Sequence, residues 1–428
     1  MKLNNPLIKN FLSYVVTDGL AKAMPFLVMP ILALYMNTEE FGIASNFLVF
    51  TQLLGAIIGL STYSYLTVEY YKTETSERKS LIGNLVLLNF VIFCICALVT
   101  PFISSYFESW FYIILQWQLL GCLMMFFTAI TELFVAYLRL EEKTKQYRNY
   151  QLLRSFLSAV LSLIFVVLLG LSWQGRILGL IATSFIVFIF AIIVFKKANL
   201  LTFKFDNKII KDSILFGIPL LPHKLASWVV KGFERILITS KVSISETGVF
   251  AFGSNFTSAL TIVISSFFGA FSPYVYKKLS ADLASDKEIQ LQKFRILKIT
   301  YLSIIGFAIV LVLAYVALFG VIKLLFNQDY QKALEYIPFF LVASFFGFLY
   351  NHFSLFIFYS KNVKWMGLIT ISVGIFQALI MFPLINEFQG MGAAYAAIIG
   401  AILKSTMVGI YSNKVYPMPW LDFKNIIK

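Results

Sequence analysis

Five basic side chains sit where a charge is hardest to keep. Lys22, Lys224, Lys231, Arg235 and Lys404 fall inside long apolar stretches of the sequence. At a bilayer centre each would cost roughly 2.5–3.5 kcal/mol on insertion scales. They are therefore expected to line a water-filled cavity or to pair with acids. Lys224, Lys231 and Arg235 are spaced by seven and then four residues. At 3.6 residues per turn this puts them within about 40° of one another on one helix face. At about 1.5 Å per residue, Lys22, Lys224 and Lys404 lie roughly 15–20 Å into their stretches. Positive charge brought by separate helices to one depth is the chemistry of an anion site, and all five residues are candidate substrate contacts. Two of them also have a plainer reading. Arg235 is close enough to the outer end of its helix to snorkel, and Lys22 lies one turn after Asp18, within reach of a local pair.

The acids inside apolar stretches are Asp18, Glu132 and Glu234. Intramembrane carboxylates can carry protons or bind sodium, and Asp18 and Glu234 are the candidates for ion coupling. Glu132 lies near the cytoplasmic end of its helix, where a solvated carboxylate is expected. His352, next to Asn351, is expected to be a hydrogen-bonded structural histidine. Pro219 and Pro222 should kink or break the seventh stretch. Gly55 and Gly59 form a G-x-x-x-G, a signal for close helix packing. Cys94, Cys96 and Cys122 have neither metal nor disulfide spacing and read as buried thiols. There is no P-loop, metal-ligand cluster or nucleophile motif, so neither an enzyme nor a cofactor is expected.

The elements that must position these residues follow from composition. The chain is 59% apolar and 13% charged, with a mean hydropathy of +0.82, against roughly 25% charged residues in a soluble protein. Apolar runs long enough to span a bilayer occur near 10–34, 41–66, 81–103, 110–136, 151–171, 177–195, 213–239, 246–271, 294–319, 337–358, 366–385 and 391–412. The expectation is an all-α polytopic membrane protein of about 12 transmembrane helices. The first run is expected to be retained as a helix, since it is too long and too charged for a cleaved signal. Lysine and arginine in the connections number twenty-six on one side and four on the other. This places both termini in the cytoplasm and makes the net charge of +14 a topology signal. Nucleic acid is excluded as a partner. The segment around 196–212 reads as a linker between two six-helix bundles, 1–200 and 201–428, and that around 272–293 as an interfacial amphipathic helix.

Two short patterns recur. Glu40-Phe41-Gly42-Ile43 opens the second run and Glu246-Thr247-Gly248-Val249 the eighth; Trp173-Gln174-Gly175 precedes the sixth and Phe388-Gln389-Gly390 the twelfth. Their offsets are 206 and 215 residues, so the halves repeat; with six helices in each half the repeats have the same orientation, and a site is expected between them. These motifs, with LRLEEKTKQYRNYQ after the fourth run and FGIPLLPHKLASWVVKGFERILI in the seventh, make the chain similar to O-antigen-type polysaccharide flippases of the multidrug/oligosaccharidyl-lipid/polysaccharide exporter (MOP) superfamily. The resemblance implies two six-helix bundles around a central cavity, working by alternating access in the bacterial inner membrane. The cargo would be an undecaprenyl-pyrophosphate-linked oligosaccharide, with membrane lipids, a polysaccharide polymerase and a chain-length regulator as partners. The alternative it implies is a cation-coupled multidrug exporter. A membrane glycosyltransferase or polymerase is a third class, against which the short outer connections argue.

Overall fold

A computed structural model gives the architecture of the protein. It describes residues 6–420 and 422 apart from 75, 203 and 281–285; the side chains of 6–16, 18, 22, 26, 226, 227, 230, 231 and 286 are not described. Lys22, Lys231 and Asp18 thus lie outside the described residues as far as their side chains go.

Among the described residues the fold is helical, with no strands. The helices are α1 (Pro6–Leu34), α2 (Thr38–Gly59), α3 (Thr62–Glu69), α4 (Arg78–Phe111), α5 (Leu115–Leu140), α6 (Thr144–Leu163), α7 (Ser172–Lys197), α8 (Asn207–Gly217), α9 (Leu221–Lys241), α10 (Ile244–Leu279), α11 (Asp286–Leu325), α12 (Gln328–Gln331), α13 (Ala333–Tyr359), α14 (Lys364–Phe388) and α15 (Gly390–Val415). Ten of these are long and apolar enough to cross a membrane. Their large outward-facing apolar side chains, such as Leu98, Phe102, Val312 and Leu324, are what a lipid-facing surface requires. The number twelve is not reached by this measure. In α1 the described apolar stretch is only Gly19–Leu34, and α9 carries Lys224, Lys231, Glu234 and Arg235 within 21 residues.

Three sequence expectations are corrected, for the run 41–66, the segment 272–293 and the cysteines, and one is met. The run 41–66 is two helices, because Leu60 and Ser61 adopt left-handed φ values of 37° and 55°. Each such non-glycine residue is strained by about 1–3 kcal/mol. The seventh run is broken as its prolines predict: α8 ends at Gly217, a 3-10 turn spans Ile218–Leu220, and α9 starts with Pro222 in its first turn. The segment 272–293 is no separate amphipathic helix, since α10 runs to Leu279 and α11 begins at Asp286. All three cysteines are free, but only Cys122 is buried; Cys94 and Cys96 are half-buried.

By packing, the chain divides into two units, 1–248 and 249–428. In the first, α9 lies against α2. Trp228 Nε1 donates to the Val49 carbonyl at 2.8 Å, Asn46 Nδ2 to Thr239 Oγ1 at 2.8 Å, and Arg235 Nη1 to Ser45 Oγ at 2.9 Å. Trp228 meets Val49, and about two to three turns further along α9 Arg235 and Thr239 meet Ser45 and Asn46, a turn earlier in α2, so the two helices are antiparallel. The core around Phe47, Phe50, Phe134 and Tyr150 is almost wholly aromatic and aliphatic.

The repeated E-x-G pattern has a geometric meaning. Asn37 and Glu40 form a reciprocal capping box at the start of α2, with both bonds at 2.8 Å. At the start of α10, Ser243 Oγ accepts from the Glu246 backbone at 3.0 Å in the equivalent place. The two first turns then meet. A Cβ on Gly42 would lie 2.2 Å from the Ile244 carbonyl oxygen, and one on Gly248 1.7 Å from that of Thr38. Thr38 and Ile244 are themselves offset by 206 residues, so the contact is reciprocal. Thr38 Oγ1 and Ser245 Oγ close it with a 2.7 Å hydrogen bond.

In the second unit, α13, α14 and α15 pack together. His352 is 1% exposed, its Nε2 lies 3.1 Å from Ser303 Oγ, and the rings of Phe267, Phe268, Phe271 and Phe348 surround it. It is the structural histidine its neighbourhood predicts.

Candidate functional site

The first unit contains a polar cleft. Three abutting cavities of about 350, 480 and 340 Å³ share walls: Tyr63 and Glu132 between the first two, Met125 and Thr128 between the first and third, Gln151 and Arg154 between the second and third. Each wall is one stripe of one helix. On α5, Met125, Thr128, Glu132 and Arg139 recur at intervals of three, four and seven residues, which 3.6 residues per turn places on one face. On α6 the stripe is Gln151, Arg154, Ser155 and Ser158; on α9 it is Lys224 and Trp228. The left-handed break at Leu60–Ser61 turns α3 so that Tyr63, Thr67 and Tyr71 face the cleft. Gly59 opens onto it with nothing within 4 Å of its would-be Cβ, so of the G-x-x-x-G pair only Gly55 makes a close approach, to Met125.

Charge in the cleft is unbalanced. Lys224, Arg139, Arg154 and Arg176 line it, and Glu132 is the acid among its described lining residues. Lys224 Nζ sits 5.4 Å from the centroid of the Tyr63 ring, a cation–π contact. Lys224 and Arg154 are the cations whose charges act on Glu132. Glu132 is exposed, as its place on the helix predicts, but the space it faces is the cleft. The surrounding apolar helices strengthen the field between the two signs of charge.

Not every base near this cleft is available to a ligand. Arg139 Nη2 donates to Tyr147 Oη at 2.5 Å and stacks 4.8 Å above that ring. Lys143 bonds Tyr137 Oη at 2.6 Å and lies 3.8 Å from Glu141. Arg78 stacks over Tyr70 at 4.3 Å and also reaches Glu141 at 3.8 Å. The basic segment after α5 is in these contacts a tyrosine–carboxylate clasp. Within it Tyr70 Oη donates to Glu141 at 2.6 Å, and burial followed by this bond pushes the phenol above its usual range.

The candidate residues are distributed as follows. Lys224 enters the cleft. Arg235 lies eleven residues further along α9, about 16 Å by helix rise, and bonds Ser45. Glu234 is half-buried, with the charge of Arg235 acting on it. Lys404 belongs to the second unit, its Nζ 4.8 Å from the Tyr350 ring centroid. Tyr63, Glu132, Arg154 and Arg176 line the cleft without having been singled out as contacts. Arg154 lies within the 151–171 run, close enough to its start to read as a charge of the preceding connection. Arg176 stands one residue before the apolar run it belongs to, whereas α7 starts at Ser172.

Residues 7–278 match the family described as Polysaccharide biosynthesis protein. Protein 1 of the Lsg locus of Haemophilus influenzae is 24% identical over 289 residues, covering 63% of this chain and 66% of that protein. The chain thus spans just under two thirds of that relative's length. Among solved structures, an inward-facing multidrug resistance MATE family transporter of the MOP superfamily aligns with a TM-score of 0.66 at 13% identity, over 92% of this chain and 94% of that one. A MOP superfamily transporter from Pyrococcus furiosus, described by a reversed polarity of its binding pocket, aligns with a TM-score of 0.55 at 14% identity, over 94% of both chains. The fold is that of the MATE-like transporters, and the extent of the family match settles kinship: the chain belongs to the polysaccharide biosynthesis protein family of multi-pass membrane proteins.

Proposed function

We propose that the protein is a flippase that carries an undecaprenyl-pyrophosphate-linked oligosaccharide repeat unit, of O-antigen or surface-polysaccharide type, from the cytoplasmic to the periplasmic leaflet of the bacterial inner membrane. The observation that carries this reading is the cleft of the first unit, where Lys224, Arg154 and Arg176 outnumber the carboxylate Glu132. An excess of fixed positive charge away from bulk water favours a di-anionic pyrophosphate, and Tyr63, Gln52 and Gln151 offer groups on which sugars can stack and hydrogen-bond. Lys22, Lys231, Arg235 and Lys404 complete the path of the anion as the halves 1–200 and 201–428 alternate. Asp18 and Glu234 couple an ion to that movement, both termini stay cytoplasmic, and a polymerase and chain-length regulator take the product. No bond is made or broken, so the chain is a carrier and not an enzyme.

In cells lacking the chromosomal copy, Lys224→Ala and Lys404→Ala at native expression should each lower surface-polysaccharide export at least tenfold, about 1.4 kcal/mol or more. Lys224→Arg should retain most of it. Undiminished export in both alanine variants overturns the assignment. The second reading, a cation-coupled drug exporter, draws on Glu132 in the cleft and on the drug-transporting neighbour. Raised drug resistance on expression, with glycan export unchanged, would favour it.

A further inference from the structure

Arg176 is 6% exposed, and it is the most enclosed base of the cleft. Its Nη1 donates to Ser162 Oγ at 2.7 Å, its buried Nε has no partner, and no carboxylate of the described residues forms an ion pair with it. The sequence puts it there by a close crossing. Gly175 and Gly179 form a G-x-x-x-G on α7; a Cβ on Gly179 would lie 2.8 Å from the Ser162 backbone, and one on Gly175 2.7 Å from that of Phe165. At these two points α7 crosses closely over the end of α6 and the π-helical turn Ile164–Leu168 that follows it, and Arg176 lies between them. A guanidinium is expensive to bury against one neutral hydroxyl, and nothing in the packing repays that cost. It faces the third cavity, of about 340 Å³, whose polar lining includes Arg154, Gln151, Ser155, Ser158 and Ser184.

We infer that this chamber is an oxyanion subsite for a hydroxylated anion, the carboxylate of an acidic sugar or a phosphate group, held by Arg176 with Arg154 in the same lining. A guanidinium presents paired donors that fit two oxygens of one anion, and serine and glutamine side chains fit the hydroxyls beside it. The volume lies in the range of small-molecule sites. The inference rests on the flippase reading only for the origin of the anion, because binding is read on the purified protein without export.

The test is thermal unfolding of the full chain in detergent, followed by tryptophan fluorescence at constant ionic strength, with glucuronate, inorganic phosphate, glucose or chloride added. Glucuronate or phosphate should raise the midpoint, while glucose and chloride should not. The larger response, to glucuronate or to phosphate, identifies the carboxylate or the phosphate group as the ligand. Arg176→Met should abolish the rise without lowering the unliganded midpoint, because it removes an uncompensated buried charge. A structural arginine would do the opposite: a lower unliganded midpoint with the anion response intact overturns the proposal, as does a wild-type protein that responds to chloride equally or to none of the anions. If Arg176→Met does not fold, Arg176→Lys decides. It keeps the charge and loses the paired donors, so affinity should fall about tenfold, and an undiminished response overturns the subsite.

Discussion

Alanine at Gly248 would place its Cβ 1.7 Å from the Thr38 carbonyl oxygen, and alanine at Gly42 would place one 2.2 Å from that of Ile244. Ordinary contact begins near 3.4 Å, so either substitution forces the first turns of α2 and α10 apart by more than 1 Å. Both obstacles are backbone and cannot rotate away. Overpacking of this kind costs about 1–3 kcal/mol. The displacement also stretches the 2.7 Å bond between Thr38 and Ser245, worth a further 0.5–1.5 kcal/mol or about that. A loss of roughly 2–4 kcal/mol is expected for Gly248→Ala and somewhat less for Gly42→Ala, measured by reversible unfolding in mixed detergent–denaturant micelles. Gly306→Ala on α11 is the control, because nothing lies within 4 Å of its would-be Cβ; there the better helix former should be neutral or stabilising. The double variant should lose less than the sum of the singles, since one separation relieves both clashes. The reasoning is refuted if Gly42→Ala and Gly248→Ala are as stable as Gly306→Ala, or if their losses add.

Other outcomes follow from the same contacts. Tyr70 is held above its ordinary phenol range, so its contribution is fully present below about pH 10 and lost as pH rises beyond that; Tyr70→Phe should remove this alkaline loss in a denaturation series while lowering neutral-pH stability by about 0.5–1.5 kcal/mol. His352→Leu should lower stability by about 1–3 kcal/mol through the unpaired Ser303 and the altered fit among phenylalanines, while export per folded molecule stays at the wild-type level; a proton-relay role would abolish export instead. Trp228→Phe should cost about 0.5–1.5 kcal/mol for its bond to the Val49 carbonyl, with a blue-shifted or lost component in tryptophan emission as the independent readout.

Much of the fold is legible along the sequence. Ten of the apolar runs correspond to helices long and apolar enough to span a membrane, and Pro219 and Pro222 mark the break before α9. The E-x-G repeat marks the place where Gly42 and Gly248 meet. The break at Leu60–Ser61 carries no glycine or proline and is invisible in sequence; it takes up a strained turn where Gly217 packs against the Leu60 carbonyl, with room for no Cβ. Lys224 is legible as a charge inside an apolar stretch, while Tyr63, Glu132, Arg154 and Arg176 each look ordinary in their own segment.

By itself the sequence determined the class of protein and most of its spanning helices. Those properties are sums over one segment at a time, since each helix meets the bilayer as its own solvent and carries its own transfer free energy. Tertiary structure alone decided which charges share a cavity. Residues from α3, α5, α6, α7 and α9 meet there because of the rotation and crossing of each helix. Close backbone approaches at Gly175 and Gly179 set part of that geometry, and contacts such as that of Trp228 with Val49 tie together segments far apart in the chain.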